Sequence, residues 1–260
     1  MKLNSLYTYL LFVSLALLCS CTSSKTLTKE IRTMRTSLGY ELTTKEYQSK
    51  IYADIYLDKL NGAGLVPMTT VKRKGTTVVP LILINYVGEK FCATLGETSL
   101  ESPYRKFLTE ALLAECNSSA CFSLYEKEKN MPSDSLYILD IEVNQCTTTS
   151  DIKLNNTSFL WVDVFTGNGD MQTVFNGKVR PAISELTFCI TLKKGGKTIH
   201  SKNFTVKHQQ YFEQHNLGDS YMANQACLDN MAEGLSQATK EMVEEIAKDL
   251  SIVIMGTVYN

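Results

Sequence analysis

The sequence predicts an α+β fold, or α/β, with a mainly antiparallel sheet, helices packed on one face and a long helix at the C-terminus. Three observations carry this. Leu186, Phe188, Ile190 and Leu192 alternate, Lys194-Gly195-Gly196-Lys197 turns, and Ile199, Phe204 and Val206 return, which is the pattern of a β-hairpin. Leu136, Ile138, Leu139, Ile141 and Val143 form a strand whose other side carries Asp140, Glu142 and Asn144. From about Asp219 to Leu250, the residues Leu228, Met231, Leu235, Ala238, Met242, Ile246 and Leu250 recur at three-four spacing. Asp229, Glu233, Lys240, Glu241, Glu244, Glu245 and Lys248 fill the rest of that helix, so it has one apolar stripe, of the kind that packs on a sheet.

The N-terminus reads as an address. Lys2 precedes an apolar run from Leu6 to Leu18, too short for a comfortable permanent span and flanked like a removable secretory signal. Leu18-Cys19-Ser20-Cys21 resembles the bacterial lipobox, which places a diacylglycerol on the cysteine after the cut. Residues 1–20 are then a signal peptide and Cys21 the lipidated first residue of the mature chain; Cys19 fits worse, because bulky Leu18 would hold the small-residue position. Two or more acyl chains make a stable membrane anchor. Thr22 stands where an Asp would favour inner-membrane retention, and no acidic patch follows, so the outer membrane, periplasmic face, is expected. Residues 21–35 are polar, rich in Ser, Thr and Lys, and read as a tether. Residues 36–260 hold the globular domain.

Within it, Tyr47, Ile51, Ile55 and the Tyr56–Leu60 pair predict a helix, although Ile51, Ala53, Ile55 and Leu57 also alternate as a strand does. Leu65–Val71 reads as a strand, Lys72-Arg73-Lys74-Gly75 as a basic turn, and Val78–Tyr86 as an apolar run buried on both faces, with Pro80 marking an edge or a bulge. Gly88 and Lys90 then turn into Phe91–Leu95 as a hairpin partner. Ser102-Pro103 starts a helix, Ser as N-cap and Pro in the first turn, with Phe107, Leu108, Ala111, Leu112 and Cys116 on its apolar face. Phe122–Leu124 is a short strand. Thr147–Thr157 reads as a polar linker where two lobes meet, and Gly167-Asn168-Gly169 as the turn of a later hairpin rather than a phosphate or calcium loop.

Charge excludes one class of partner. With 26 Lys+Arg against 27 Asp+Glu there is no global field for nucleic acid, so attachment to a membrane must come from the lipid. Of the eight cysteines, six lie beyond Cys21, and export permits disulfides among them. Cys116 and Cys121 flank a tight polar loop and are the pair to bridge; the alternative is that all six are small buried hydrophobes. No metal site and no cofactor are expected, since His200, His208 and His215, with Glu213, match no ligand motif. Asp140 with Glu142 has the composition of a glycosidase pair but the placement of a solvated strand face. Lys72, Arg73 and Lys74 form the densest basic run and the candidate contact for a partner or lipid.

The helix Ser102–Cys116, the strand Leu136–Val143 after a loop with Pro132, the hairpin Leu186–Val206 and the helix Asp219–Leu250 follow the lipobox in that order. This order resembles small bacterial envelope lipoproteins: the auxiliary components of ABC-type transport systems and the curli-secretion and lipopolysaccharide-assembly lipoproteins. Tyr104–Leu113 is similar to the helix those proteins place before their sheet element. The resemblance implies helices on a mainly antiparallel sheet and action through protein or lipid contacts, without catalysis, with an envelope protein as partner. It transfers no functional residue. A surface glycan- or nutrient-binding lipoprotein and an envelope hydrolase are the alternatives, the latter needing a pocket that holds His200, His208, or Asp140 with Glu142.

Overall fold

A computed structural model describes residues 24–42, 53–62, 64–80, 84–128, 136–162 and 169–258. The chain runs α1 (Ser24–Thr33), β1 (Asp54–Gly62), β2 (Thr70–Pro80), β3 (Ile84–Thr94), a 3-10 turn (Glu97–Ser99) and α2 (Tyr104–Ser119). It continues through β4 (Ser123–Glu126), β5 (Tyr137–Val162), β6 (Gly169–Val179), β7 (Ile183–Lys194), β8 (Lys197–Gln209), β9 (Gln214–Leu217) and α3 (Ser220–Val258). The expected α+β class holds: nine strands form one sheet, antiparallel except where β1 pairs with β4 and β5, under a long C-terminal helix.

The sheet is organised on β5, which is 26 residues long. Its first half lies between β1 and β7, and its second half between β3 and β6. The expected linker at Thr147–Thr157 is therefore wrong: those residues are the middle of a strand common to both halves. Threonine is β-branched and suits a strand. Cys146, Thr148, Ser150, Ile152 and Leu154 alternate toward the core, and the polar members are satisfied there, Thr148 Oγ1 by Ser184 Oγ at 2.9 Å and Ser150 Oγ by the Arg180 carbonyl at 2.7 Å.

Helix α3 spans 39 residues, about 58 Å at 1.5 Å per residue, enough to cover both halves. Asp219 caps it by accepting the Met222 N–H at 2.7 Å, and the expected stripe, extended to Ile254, is buried against β5, β6, β7 and β8. Helix α2 packs beside α3, with Phe107, Leu108, Ala111, Leu112 and Cys116 inward. Ser102 does not cap α2: Pro103 holds the N-cap position, and Glu97 Oε2 accepts the Tyr104 N–H at 3.1 Å. The β7–β8 hairpin forms as expected, its turn made by Gly195 and Gly196 at φ 57° and 74°.

Four further expectations are corrected. The tether does not extend to Arg35, because α1 begins at Ser24 and docks Leu27, Ile31 and Met34 into the core at helical spacing. The helix expected up to Leu60 is instead β1 over Asp54–Gly62, where Ile55 and Leu57 are buried between β4 and β5; residues 43–52 of that expectation lie outside the described residues. Lys72–Gly75 is not a turn but part of β2, and Gly88 and Lys90 lie inside β3, so the expected hairpin of Val78–Tyr86 with Phe91–Leu95 does not form: Phe91 pairs with Arg73 and Tyr86 with Val79 in one antiparallel ladder from Thr70↔Thr94 to Pro80↔Asn85. The apolar run around Pro80 is not buried on both faces: β2 ends there, and Val78, Val79 and Ile84 are exposed. The Gly167-Asn168 part of the later turn and Cys21 lie outside the described residues, though β5 and β6 pair antiparallel as that turn requires.

Candidate functional site

The expected chemistry does not converge. Asp140 on the open face of the sheet is bound by Lys193 at 2.5 Å. His200 and His208 project from β8 on the opposite face, toward α3, where Asp249 Oδ2 meets His200 Nε2 at 2.7 Å and Glu241 Oε1 meets His208 Nδ1 at 2.7 Å. Lys202 joins Asp249 at 2.6 Å, so these charges staple the strand to the helix. His215 lies 3.4 Å from Glu213, which Lys178 holds at 2.9 Å. Among the described residues no group of three His, Cys, Asp or Glu side chains has the arrangement to hold a metal ion.

Cys116, Cys121, Cys146 and Cys227 are buried, while Cys92 and Cys189 are half-buried. Cys116 and Cys121 are both buried thiols, not a bridge: Cys116 faces the core from α2, and Cys121 Sγ points at the Ser251 carbonyl of α3, 3.6 Å away. Burial pushes the thiols of Cys146 and Cys227 up to about 12. Thiolate chemistry is thereby suppressed.

The strand register assembles a different surface. On the face turned away from α3, the pairings β2–β3–β5–β6 place Gly75, Lys90, Lys153 and Lys178 in one rung, with Lys74 at the bulge beside it. Arg180 adjoins this rung, its N–H bound to the Asp151 carbonyl at 2.8 Å. Lys74 pairs with Asp151 at 2.6 Å and Lys178 with Glu213, so five basic groups face two carboxylates. The Arg180 guanidinium first, then partial burial and the Lys90 and Lys178 ammoniums, hold Lys153 below the usual lysine range. Like charges therefore crowd here without full compensation.

Beyond the basic rung the same open face continues. The next rung is Thr77, Gly88, Asn155 and Asn176, and the one after it is Val79, Tyr86, Thr157 and Val174. Ile84 and Phe159 follow. Val174 is 55% exposed, Val79 42% and Ile84 37%, so this face is exposed at the end of the ribbon; on the other face Val78 is exposed while its cross-strand partner Val87 is buried. Tyr86 donates its O–H to Asn155 Oδ1 at 2.8 Å, which fixes the ring across two strands.

Of the basic run read from sequence, Lys72 and Lys74 lie on this open face, at or beside the basic rung. Arg73 does not: it turns to the other face, pairs with the buried Glu89 at 2.8 Å and covers the Phe91 ring at 5.7 Å. Lys90, Lys153, Lys178 and Arg180 were invisible as a cluster, because they are spread over three strands and their neighbourhood exists only through register.

No family model matches the chain, and neither does any curated protein. Among solved structures it is similar to the crystal structure of protein XCC0632 from Xanthomonas campestris, a DUF330 protein, at 11% identity and a TM-score of 0.49, over 87% of this chain and 100% of that one.

Proposed function

We propose that the chain is a lipid-anchored, non-catalytic lipoprotein of the bacterial envelope, held by a lipid on Cys21 at the periplasmic face of the outer membrane, where it supports transport or assembly through protein or lipid contacts. The observation that carries this reading is the sequence Leu18-Cys19-Ser20-Cys21 at the end of an apolar run, three residues before helix α1 at Ser24. Confinement by the anchor raises the effective concentration of the domain for anything in the same membrane. The non-catalytic part is supported by where these side chains go, since Asp140 pairs with Lys193 on one face of the sheet while His200 and His208 hydrogen-bond to Asp249 and Glu241 on the other.

The test is intact-mass analysis of the chain from a bacterial host alongside Cys21→Ala, followed by crosslinking and pulldown from intact cells. The reading expects loss of residues 1–20 and an added acyl mass on wild type only, with an envelope protein recovered only from the acylated form. An unmodified Cys21 would end the anchor reading, and recovery of bound sugar without an envelope protein would replace the accessory role with ligand binding.

A further inference from the structure

We infer that the bare end of the β2–β3–β5–β6 ribbon, with the basic rung behind it, is a second membrane contact that seats the domain on anionic lipid headgroups. The inference deepens the anchored reading and rests on it for orientation, while its chemistry stands on the fold alone.

Direction comes from α1. Thr28 Oγ1 both accepts the Val71 N–H and donates to the Val71 carbonyl at 3.2 Å, and Arg32 Nε donates to the Thr69 carbonyl at 3.1 Å. Rising along α1 is therefore falling along β2. Four helical residues advance about 6 Å and two strand residues about 6.6 Å, so the two elements run nearly antiparallel. The N-terminus of α1 points to the same end of the molecule as Pro80. Going back from Thr28 to Ser24 reaches the level of Arg73. The first turn of α1 therefore lies near the level of the basic rung, on the side from which the ribbon projects.

The rungs at Val79 and Ile84 lie about 13 and 20 Å beyond Lys90 at 3.3 Å per residue. With the acyl chains of Cys21 in the bilayer, Lys74, Lys90, Lys153, Lys178 and Arg180 stand at headgroup depth, and Val79, Tyr86, Ile84 and Val174 reach the acyl boundary. Depth is limited by the backbone, because the open β2 edge keeps polar groups that need water or headgroups. The charge is local, which is how a nearly neutral chain still presents a cationic face.

The test uses the chain 21–260 carrying Cys21→Ser, which has no lipid yet retains every described element. A single tryptophan at an exposed ribbon position, Ile84→Trp with Trp161→Phe, serves as the reporter. With three excess charges at about a kcal/mol each, vesicles containing phosphatidylglycerol should bind about a hundredfold more tightly than neutral phosphatidylcholine at low salt. Brominated lipid should then quench the tryptophan at position 84. Lys90→Glu with Lys153→Glu should abolish the preference, and Val79→Asp with Val174→Asp should remove the quenching, both with unchanged circular dichroism. Equal binding to the two vesicles, or a bound protein whose reporter tryptophan at position 84 stays as open to iodide as in solution, would overturn the inference. Because residue 21 is unacylated throughout, that failure is separate from a failure of Cys21 to be modified in cells.

Discussion

Ile31→Ala tests the element on which orientation depends. Ile31 is fully buried on α1, beside Leu27, and the substitution removes three carbons. At about 0.8 kcal/mol per methylene the lost transfer energy is about 2.4 kcal/mol, and the residual cavity brings the total to about 2–5 kcal/mol. The Val71 amide gives a site-specific readout, since it bonds across the sheet edge to Thr28 Oγ1 rather than to another strand. Denaturant unfolding of Ile31→Ala should show the global loss, and native-state hydrogen exchange should show earlier opening at Val71, ahead of the β5–β7 ladder, if α1 undocks on its own. A loss below about 0.5 kcal/mol with unchanged Val71 protection would refute the docking of α1. The segment would then be the spacer that its composition suggests, and the geometric case for the membrane contact would fall with it.

Other outcomes follow from single positions. Gly62 sits at φ 101° with a Cβ at that position falling 2.3 Å from the Val143 carbonyl oxygen of the adjacent strand, so Gly62→Ala should destabilise by more than about 2 kcal/mol in thermal unfolding. Tyr40→Phe removes the O–H that donates to the buried Glu115 Oε2 at 2.9 Å and should cost about 1–3 kcal/mol by the same measurement, restored in part by Glu115→Gln. In a timed alkylation experiment on native protein, Cys92 and Cys189 should react before Cys116, Cys121, Cys146 and Cys227, and all six should react once unfolded without reductant; a protected Cys116–Cys121 pair under those conditions would contradict the buried-thiol reading. Because Lys153 is held below its ordinary range, the unfolded chain binds more protons at that site as pH passes through the lowered value, so its repulsion is present below that pH and fades above it. Lys153→Gln should therefore leave the denaturation midpoint at neutral pH unchanged or raised, while anionic-vesicle binding weakens.

Some of this molecule is legible residue by residue. The β7–β8 hairpin declares itself by alternation and a Gly-Gly turn, and α3 by a stripe that repeats over its whole length, because both signals are local periodicities of the backbone. Short or mixed patterns fail. Ile55 and Leu57 fit a helix and a strand equally until β4 and β5 flank them. In α1, Leu27, Ile31 and Met34 are too few among Ser, Thr and Lys to announce a buried face, and become one only against β2 and α3. The Thr-rich middle of β5 looks like a linker because its burial is satisfied by Ser184 and the Arg180 carbonyl, distant in sequence.

The candidate surface divides in the same way. Composition and local periodicity by themselves determine a near-zero net charge and an α+β class, since these depend on residue types and short-range order. Only the tertiary structure decides that Arg73 turns inward to Glu89, and that Lys90, Lys153, Lys178 and Arg180 meet on one open face. The reason is register: a strand offers alternate side chains to opposite faces, and which lysines become neighbours is set by partners up to about ninety residues away.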